Sequence, residues 1–145
     1  MSSSEPIYVV VPGDPRGQGR PRATVRNGHA TVYKDAKTAS YQNLVAMAAN
    51  QAMKGHDIIN GPVMLVLFVR FPIPKSTSAK KRAEMMAWPP RIKPTKKPDL
   101  SNILKAVEDG MNGIVFCDDS QIVTIHATKL YSETPGVEAW VSSIA

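Results

Sequence analysis

The stretch KKPDLSNILKAVEDGMNGIVFCDDSQI, Lys96 to Ile122, decides how this chain of 145 residues folds. Placed on a wheel of 3.6 residues per turn, Leu100, Ile103, Leu104, Val107 and Met111 make one apolar stripe. Ser101, Asn102, Lys105, Glu108, Asp109 and Asn112 share the other side. The pattern predicts a helix that starts between Pro98 and Asn102 and ends by Gly113, since proline suits a helix start and glycine a C-terminal cap. One apolar stripe needs one partner layer, so the polar side faces outward.

That partner layer is supplied by short apolar runs on either side. Ile7 to Pro12 and Val63 to Phe71 are rich in β-branched residues and read as strands, as do Ile122 to Leu130 and Val137 to Val141. Thr134-Pro135-Gly136 turns the chain between the last two. Asn27-Gly28, between two short alternating runs, signals a two-residue hairpin. Thr38 to Met53 has helical spacing at Tyr41, Leu44, Val45, Ala48 and Ala52, with Gly55 as its stop. Ser76 or Ser78 is placed to cap a short helix carrying Lys80, Lys81 and Arg82. The segment PPRIKPTKKPD is a connector, because too little chain follows it for a second core. These elements predict a single α+β domain, residues 1–145, with a mixed or antiparallel sheet and about three helices. Residues 1–5 are expected to be disordered.

Composition narrows the class. Eighteen basic and twelve acidic side chains leave a net charge of +6, which favours a polyanionic partner such as nucleic acid. A lone cysteine, Cys117, excludes an internal disulfide and a CxxC zinc site, and it reads as a small buried apolar residue. The start lacks a basic segment followed by an apolar run, so no signal peptide is expected. The longest apolar stretch, Val63 to Val69, is far short of the roughly 20 residues a membrane helix needs, so no membrane partner and a cytoplasmic location are expected. His29, His56 and His126 have no partners at metal-ligand spacing.

Against this basic background the acids of the opening stretch stand out. Asp99 lies at the helix start, where the helix dipole favours negative charge. Asp118 and Asp119 follow the helix, and Lys105 lies on its polar side. Singly, these are a capping acid, a turn and an i,i+4 pair of Lys105 with Asp109. Together they suit metal-assisted phosphodiester chemistry. Mg²⁺ takes oxygen ligands, often from only one or two carboxylates. A lysine can offset the charge of the transition state.

The same residues carry a resemblance. PTKKPDLSNILKAVEDGMNGIVFCDDSQI resembles the core motif of the RusA family of Holliday junction resolvases, P-D-x-D-N, then K, then D-D-x-Q. GDPRGQGRPRATVRNGHATVY resembles the family's G-x-P-x-x-x-x-R-P-R segment, and FPIPKSTSAKK its P-x-P-x-S-x-x-K-K segment. The three motifs occur in family order over residues 8 to 130. The resemblance implies a homodimeric, Mg²⁺-dependent endonuclease, with Mn²⁺ as a possible substitute, that nicks four-way or branched DNA symmetrically. By position it implies catalytic roles for Asp99, Lys105 and Asp119. Metal ligands would come from Asp99, Asp119, Asp118 and the position of Ser101. In a strand-like stretch neighbouring side chains face opposite ways, which favours Asp119 over Asp118.

Ser101 departs from the pattern, which usually has an acid there. Three readings follow: a metal held by Asp99 and Asp119 with water or the Ser101 hydroxyl filling in, a substitute acid in Glu108 or Asp109, or a branched-DNA binder that cuts poorly. The first is favoured, since the other motif residues are kept. Arg16, Arg20, Arg22 and Arg26 are expected to contact phosphates. Lys75, Lys80, Lys81, Lys96 and Lys97 are expected to do the same, fixing position rather than sequence. Asn102, Asp109 and Gln121 are read as supporting residues. The dimer contact is expected from apolar residues of the Thr38–Met53 helix or from an edge strand.

Overall fold

A computed structural model describes residues 5–19, 22–26, 28–33 and 36–144. Among the described residues, six strands and three α-helices occur in the order β1 (Ile7–Pro12), β2 (Arg22–Arg26), β3 (His29–Tyr33), α1 (Ala36–Ala52), β4 (Val63–Pro72), α2 (Ala79–Met86), α3 (Leu100–Met111), β5 (Ile122–Ser132) and β6 (Gly136–Ser143). A four-stranded sheet has the order β1-β6-β4-β5, and β2 and β3 form a separate hairpin. β6 pairs antiparallel with both β1 and β4. β4 and β5 run parallel, an arrangement that needs a long crossover, which the helical segment between them supplies. The result is one α+β domain with a mixed sheet and three helices, as the sequence predicts.

One face of the sheet carries the core. Along β1 and β4 alternate residues are buried, so Ile7, Val9, Val11, Val63, Leu65, Leu67 and Val69 point the same way. Against them pack Tyr41, Val45 and Ala49 of α1 and Ile103, Val107 and Met111 of α3. Each buried Val, Leu, Ile or Met among them contributes about 1.5–3 kcal/mol by leaving water, so this layer fixes where α3 sits. On the other face Trp140 packs against Tyr8 and Phe68, with ring centroids 4.9 and 5.6 Å apart. There the Tyr8 hydroxyl and the Arg70 guanidinium both donate to Glu138. Burial pushes the Glu138 carboxyl up, and these two donors more than offset it, leaving it below the usual range. α2 is capped by Ser78, whose hydroxyl accepts from the Lys81 amide.

α1 and α3 cross at Gly110. A Cβ there would lie 2.5 Å from Val45 Cβ and 3.0 Å from the Gln42 carbonyl oxygen. Gly110→Ala gains up to about 1 kcal/mol of helix propensity but must separate two packed helices. We expect a net loss of about 1–2 kcal/mol, read as a lower urea midpoint with an unchanged slope.

The hairpin is present, with Arg26 opposite His29 and Gly28 at φ +76°; Asn27 lies outside the described residues, as do residues 1–4 and Arg20. Cys117 is exposed, not buried. Val115 and Phe116 take the interior places just before it, and its thiol instead approaches the Asn60 side-chain oxygen at 3.2 Å. The Asp118-Asp119 doublet is not strand-like. Asp119–Gln121 is one turn of 3-10 helix with Asp118 as its cap.

Candidate active site

The site grows from the outward side of α3. After Met111 the chain reverses through Gly113, at φ +77°, and buries Val115 and Phe116 completely. The Gly113 amide donates to the Phe116 carbonyl, and the Ile59 amide to the Val115 carbonyl. This plug returns the acidic turn alongside the helix it has just left. Gln121 then locks the turn in place. Its side-chain oxygen accepts from the Asp118 amide at 2.9 Å, and its Nε2 donates to the carbonyls of Ile59 and Gly61 at 2.9 and 3.0 Å. Gln121 is therefore an anchor of the turn.

Lys105 stands at the centre of what results. Its ammonium lies 3.2 Å from Asp109 Oδ1 and 3.4 Å from Asp119 Oδ2. Asp109 raises the Lys105 pKa most, and Asp119 adds to the effect, so the lysine stays charged. Asp109 is held from behind by the buried Gln42, whose Nε2 is 3.3 Å from Oδ2. Glu108 is on the same stretch of helix. Burial, and then the charge of Asp119, raise its pKa above the ordinary carboxyl value. The two acids thus crowd one another beside a single lysine.

This crowding has a measurable consequence. A carboxyl whose pKa is higher folded than unfolded favours folding at low pH and loses that advantage as pH rises through the folded value. Glu108→Gln should therefore raise Tm at pH 7 in the absence of divalent metal, and the rise should shrink as pH is lowered toward 4 and the native carboxyl takes up its proton. Melting curves at the two pH values test this.

Asp118 and Asp119 differ through the turn geometry. Asp118 Oδ2 accepts from the Ser120 amide at 3.1 Å, and the carboxyl is fully exposed. Hydrogen bonds from the Ser120 side chain and backbone, with Asn112 also contributing, hold its pKa below the usual range. Asp118 caps, while Asp119 faces Lys105.

Asp99 occupies the N-cap of α3, with its backbone carbonyl accepting from the Asn102 and Ile103 amides. Its exposed carboxylate makes no cap hydrogen bond and, among the described residues, no ion pair. The structure places it beside a cleft of about 500 Å³ that is also lined by Gly17, Gln18, Lys97, Pro98 and Asn102. The glycine-rich N-terminal segment reaches this cleft directly. The Gln18 amide donates to the Asn102 carbonyl at 3.1 Å, and a Cβ on Gly17 would meet Pro98 and Asn102 at 3.0 and 3.1 Å. Lys129 fastens the approach to the helix by donating to the carbonyls of Lys96 and Pro98. Ser101 is exposed one turn before Lys105 on the same side of α3.

The structure thus joins Lys105, Asp109 and Asp119 by direct contact and sets Asp99 at the start of the same helix. Among the described residues no three His, Cys, Asp or Glu side chains are grouped to hold a metal by themselves. The donors present suit a hard cation that keeps most of its shell as water or phosphate oxygen. Arg16, Lys75, Lys80, Lys81, Lys96 and Lys97 are exposed, while the backbones of Arg22 and Arg26 lie in β2. Sequence reasoning missed Gln42 and Lys129. Each left a faint signal: a glutamine beside the apolar stripe of α1, and a lysine in a largely apolar strand.

Residues 12–142 match the profile of the RusA endodeoxyribonucleases. The chain belongs to the RusA family. Over 139 residues it is 38% identical to the uncharacterized protein YqaN of Bacillus subtilis (strain 168), covering 96% of this chain and 97% of that protein. Membership in RusA makes this a chain of the endodeoxyribonuclease type, a hydrolase of phosphodiester bonds. The match spans both the glycine-rich segment and the acidic turn, each of which contacts α3. No described helix is long and apolar enough to cross a membrane.

Proposed function

We propose that the protein is a divalent-metal-dependent endonuclease that nicks four-way and branched DNA as a homodimer in the cytoplasm. The observation that carries this reading is the Lys105 ammonium held between Asp109 and Asp119 on the helix bearing the RusA-like motif. Asp119 and Asp99 would hold Mg²⁺ or Mn²⁺, with Ser101 or water contributing. When bound, the ion would lower the pKa of a water molecule and neutralise charge on the phosphate.

The protein's own side chains supply the rest. Lys105 offsets the charge that builds on the phosphorus oxygens. Asp109, fixed by Gln42, keeps the lysine charged and pointed at that place. The exposed basic residues hold the DNA backbone without reading sequence. Two copies related by a two-fold axis present equivalent sites to opposing strands of a junction.

The deciding experiment incubates the protein with a synthetic four-way junction, with and without Mg²⁺ or Mn²⁺. Paired nicks that need the metal are expected; no cleavage under any metal rejects the nuclease reading. Binding measured against salt should fall with a log–log slope of about −0.9 per phosphate neutralised. A slope near zero removes the proposed phosphate contacts. Light scattering should return twice the chain mass of 15.8 kDa.

Ser101 favours a second reading. A neutral, exposed serine stands where the family pattern has an acid. On this reading the chain binds branched DNA and cuts it weakly, and the same assay separates the two by rate.

A further inference from the structure

We infer that Trp88 is a stacking platform for a DNA base that lies outside a duplex stack. This rests on the proposed binding of branched DNA. Trp88 is 80% exposed, although burying an indole is among the most favourable changes a side chain can undergo in water. It is not a loose tail residue. The Arg91 amide donates to the Glu84 carbonyl at 2.9 Å and folds the chain after Trp88 back onto the end of α2. Pro89 and Pro90 restrict the backbone between them. The indole is therefore presented on a fixed turn, and little order has to be gained when something covers it.

Charge selects the occupant. From Ala79 to Lys97 there are seven basic side chains and one acid. That excess of six equals the net charge of the whole chain, +6. Lys80 and Lys81 precede the tryptophan on α2, and Arg91 and Lys93 follow it; Lys80, Lys81, Arg91 and Lys93 are all exposed. A second copy docking here would bring two such patches together and be repelled. A polyanion with flat apolar faces is complementary, because its phosphates meet the cations while a base covers the ring. A base in a continuous duplex offers no face, whereas a branch point or single strand does. Eleven residues separate Trp88 from Asp99, so the two lie at most about 40 Å apart, close to one turn of duplex. One junction can reach both.

The chain has two tryptophans, so the test is direct. Trp140→Phe leaves Trp88 as the sole indole emitter. Its emission is followed in EDTA as a labelled four-way junction, single strand or blunt duplex is added, with label anisotropy reporting binding in the same sample. Should Trp140→Phe fold poorly, the difference between wild type and Trp88→Phe gives the same signal.

Strong quenching by junction and single strand, and little by duplex, is expected. Trp88→Ala should weaken junction binding about five- to a hundredfold, with Trp88→Phe near wild type. Anisotropy that reports binding while Trp88 emission stays constant overturns this inference alone, as does an unchanged Kd for Trp88→Ala. Equal quenching by blunt duplex, or a response to anionic phospholipid vesicles but not to junction, also overturns it. Absence of binding to every DNA overturns the proposed function and this inference together.

Discussion

Asp119→Asn is expected to slow junction nicking by about two to three orders of magnitude, with junction binding changed by less than about threefold. The asymmetry follows from geometry. Asp119 sits 3.4 Å from the Lys105 ammonium, and both are anchored by elements that do not depend on the Asp119 side chain. Asparagine keeps the shape of the turn and removes one negative charge. That charge serves the reaction and opposes the DNA, so its loss costs rate and leaves ground-state affinity nearly intact. Lys105→Met should slow nicking comparably while also weakening binding, since it removes a cation. Because the two groups touch, the double variant should be far less impaired than the product of the single effects. Full additivity in single-turnover rates would show that they act separately and would break the proposed site. Asp118→Asn is the internal control. Its carboxylate caps the turn and is exposed, so a loss below tenfold is expected.

How much of this site was legible beforehand depends on the kind of signal each residue leaves. The helix carrying Lys105 was legible because its apolar stripe has the right period and its ends carry proline and glycine. β1 matches its predicted span, since a run of β-branched residues between punctuating residues has little else to become. The pairing of β4 with β5 was not legible, because strand order depends on how α3 lies across the sheet. The doublet misled for a local reason. Strand alternation does not hold at Asp118-Asp119, because Gln121 reaches back to the Asp118 amide and winds the segment into a helical turn. The alternation argument for preferring Asp119 therefore falls away, and what the turn offers instead is a difference in contacts. Asp118 is occupied as a cap, and Asp119 is the one turned to Lys105. Cys117 misled because one cysteine among apolar residues looks interior. Which of several adjacent apolar positions enters the core depends on the Gly113 turn, and here Val115 and Phe116 do. Gln42 illustrates the limit. A buried glutamine beside an apolar stripe reads as a packing fault until the acid it serves, Asp109, is seen 3.3 Å away.

Ser101→Asp should lower the metal concentration for half-maximal nicking about ten- to a hundredfold, the range that losing an important metal-site contact ordinarily spans. Position 101 is exposed, on the same side of α3 as Lys105 and one turn before it, so a carboxylate there needs no rearrangement of the core. Two effects compete. The new acid adds a hard oxygen donor, which strengthens the hold on a divalent ion. It also stands at i,i+4 to Lys105, where it can draw the ammonium from Asp119. Exposed ion pairs of that spacing are worth only about 0.3–0.5 kcal/mol, whereas a tenfold gain in metal affinity is about 1.4 kcal/mol, so the metal effect should win. The maximal rate should then rise less than the metal affinity, because Lys105 and Asp119 are unchanged. Metal titrations of nicking by parent and variant decide the matter. Equal half-saturation and equal rate would place position 101 outside the metal's reach. In that case the serine departs from the family pattern without consequence for the reaction, and the weak-cutting alternative loses its only structural support.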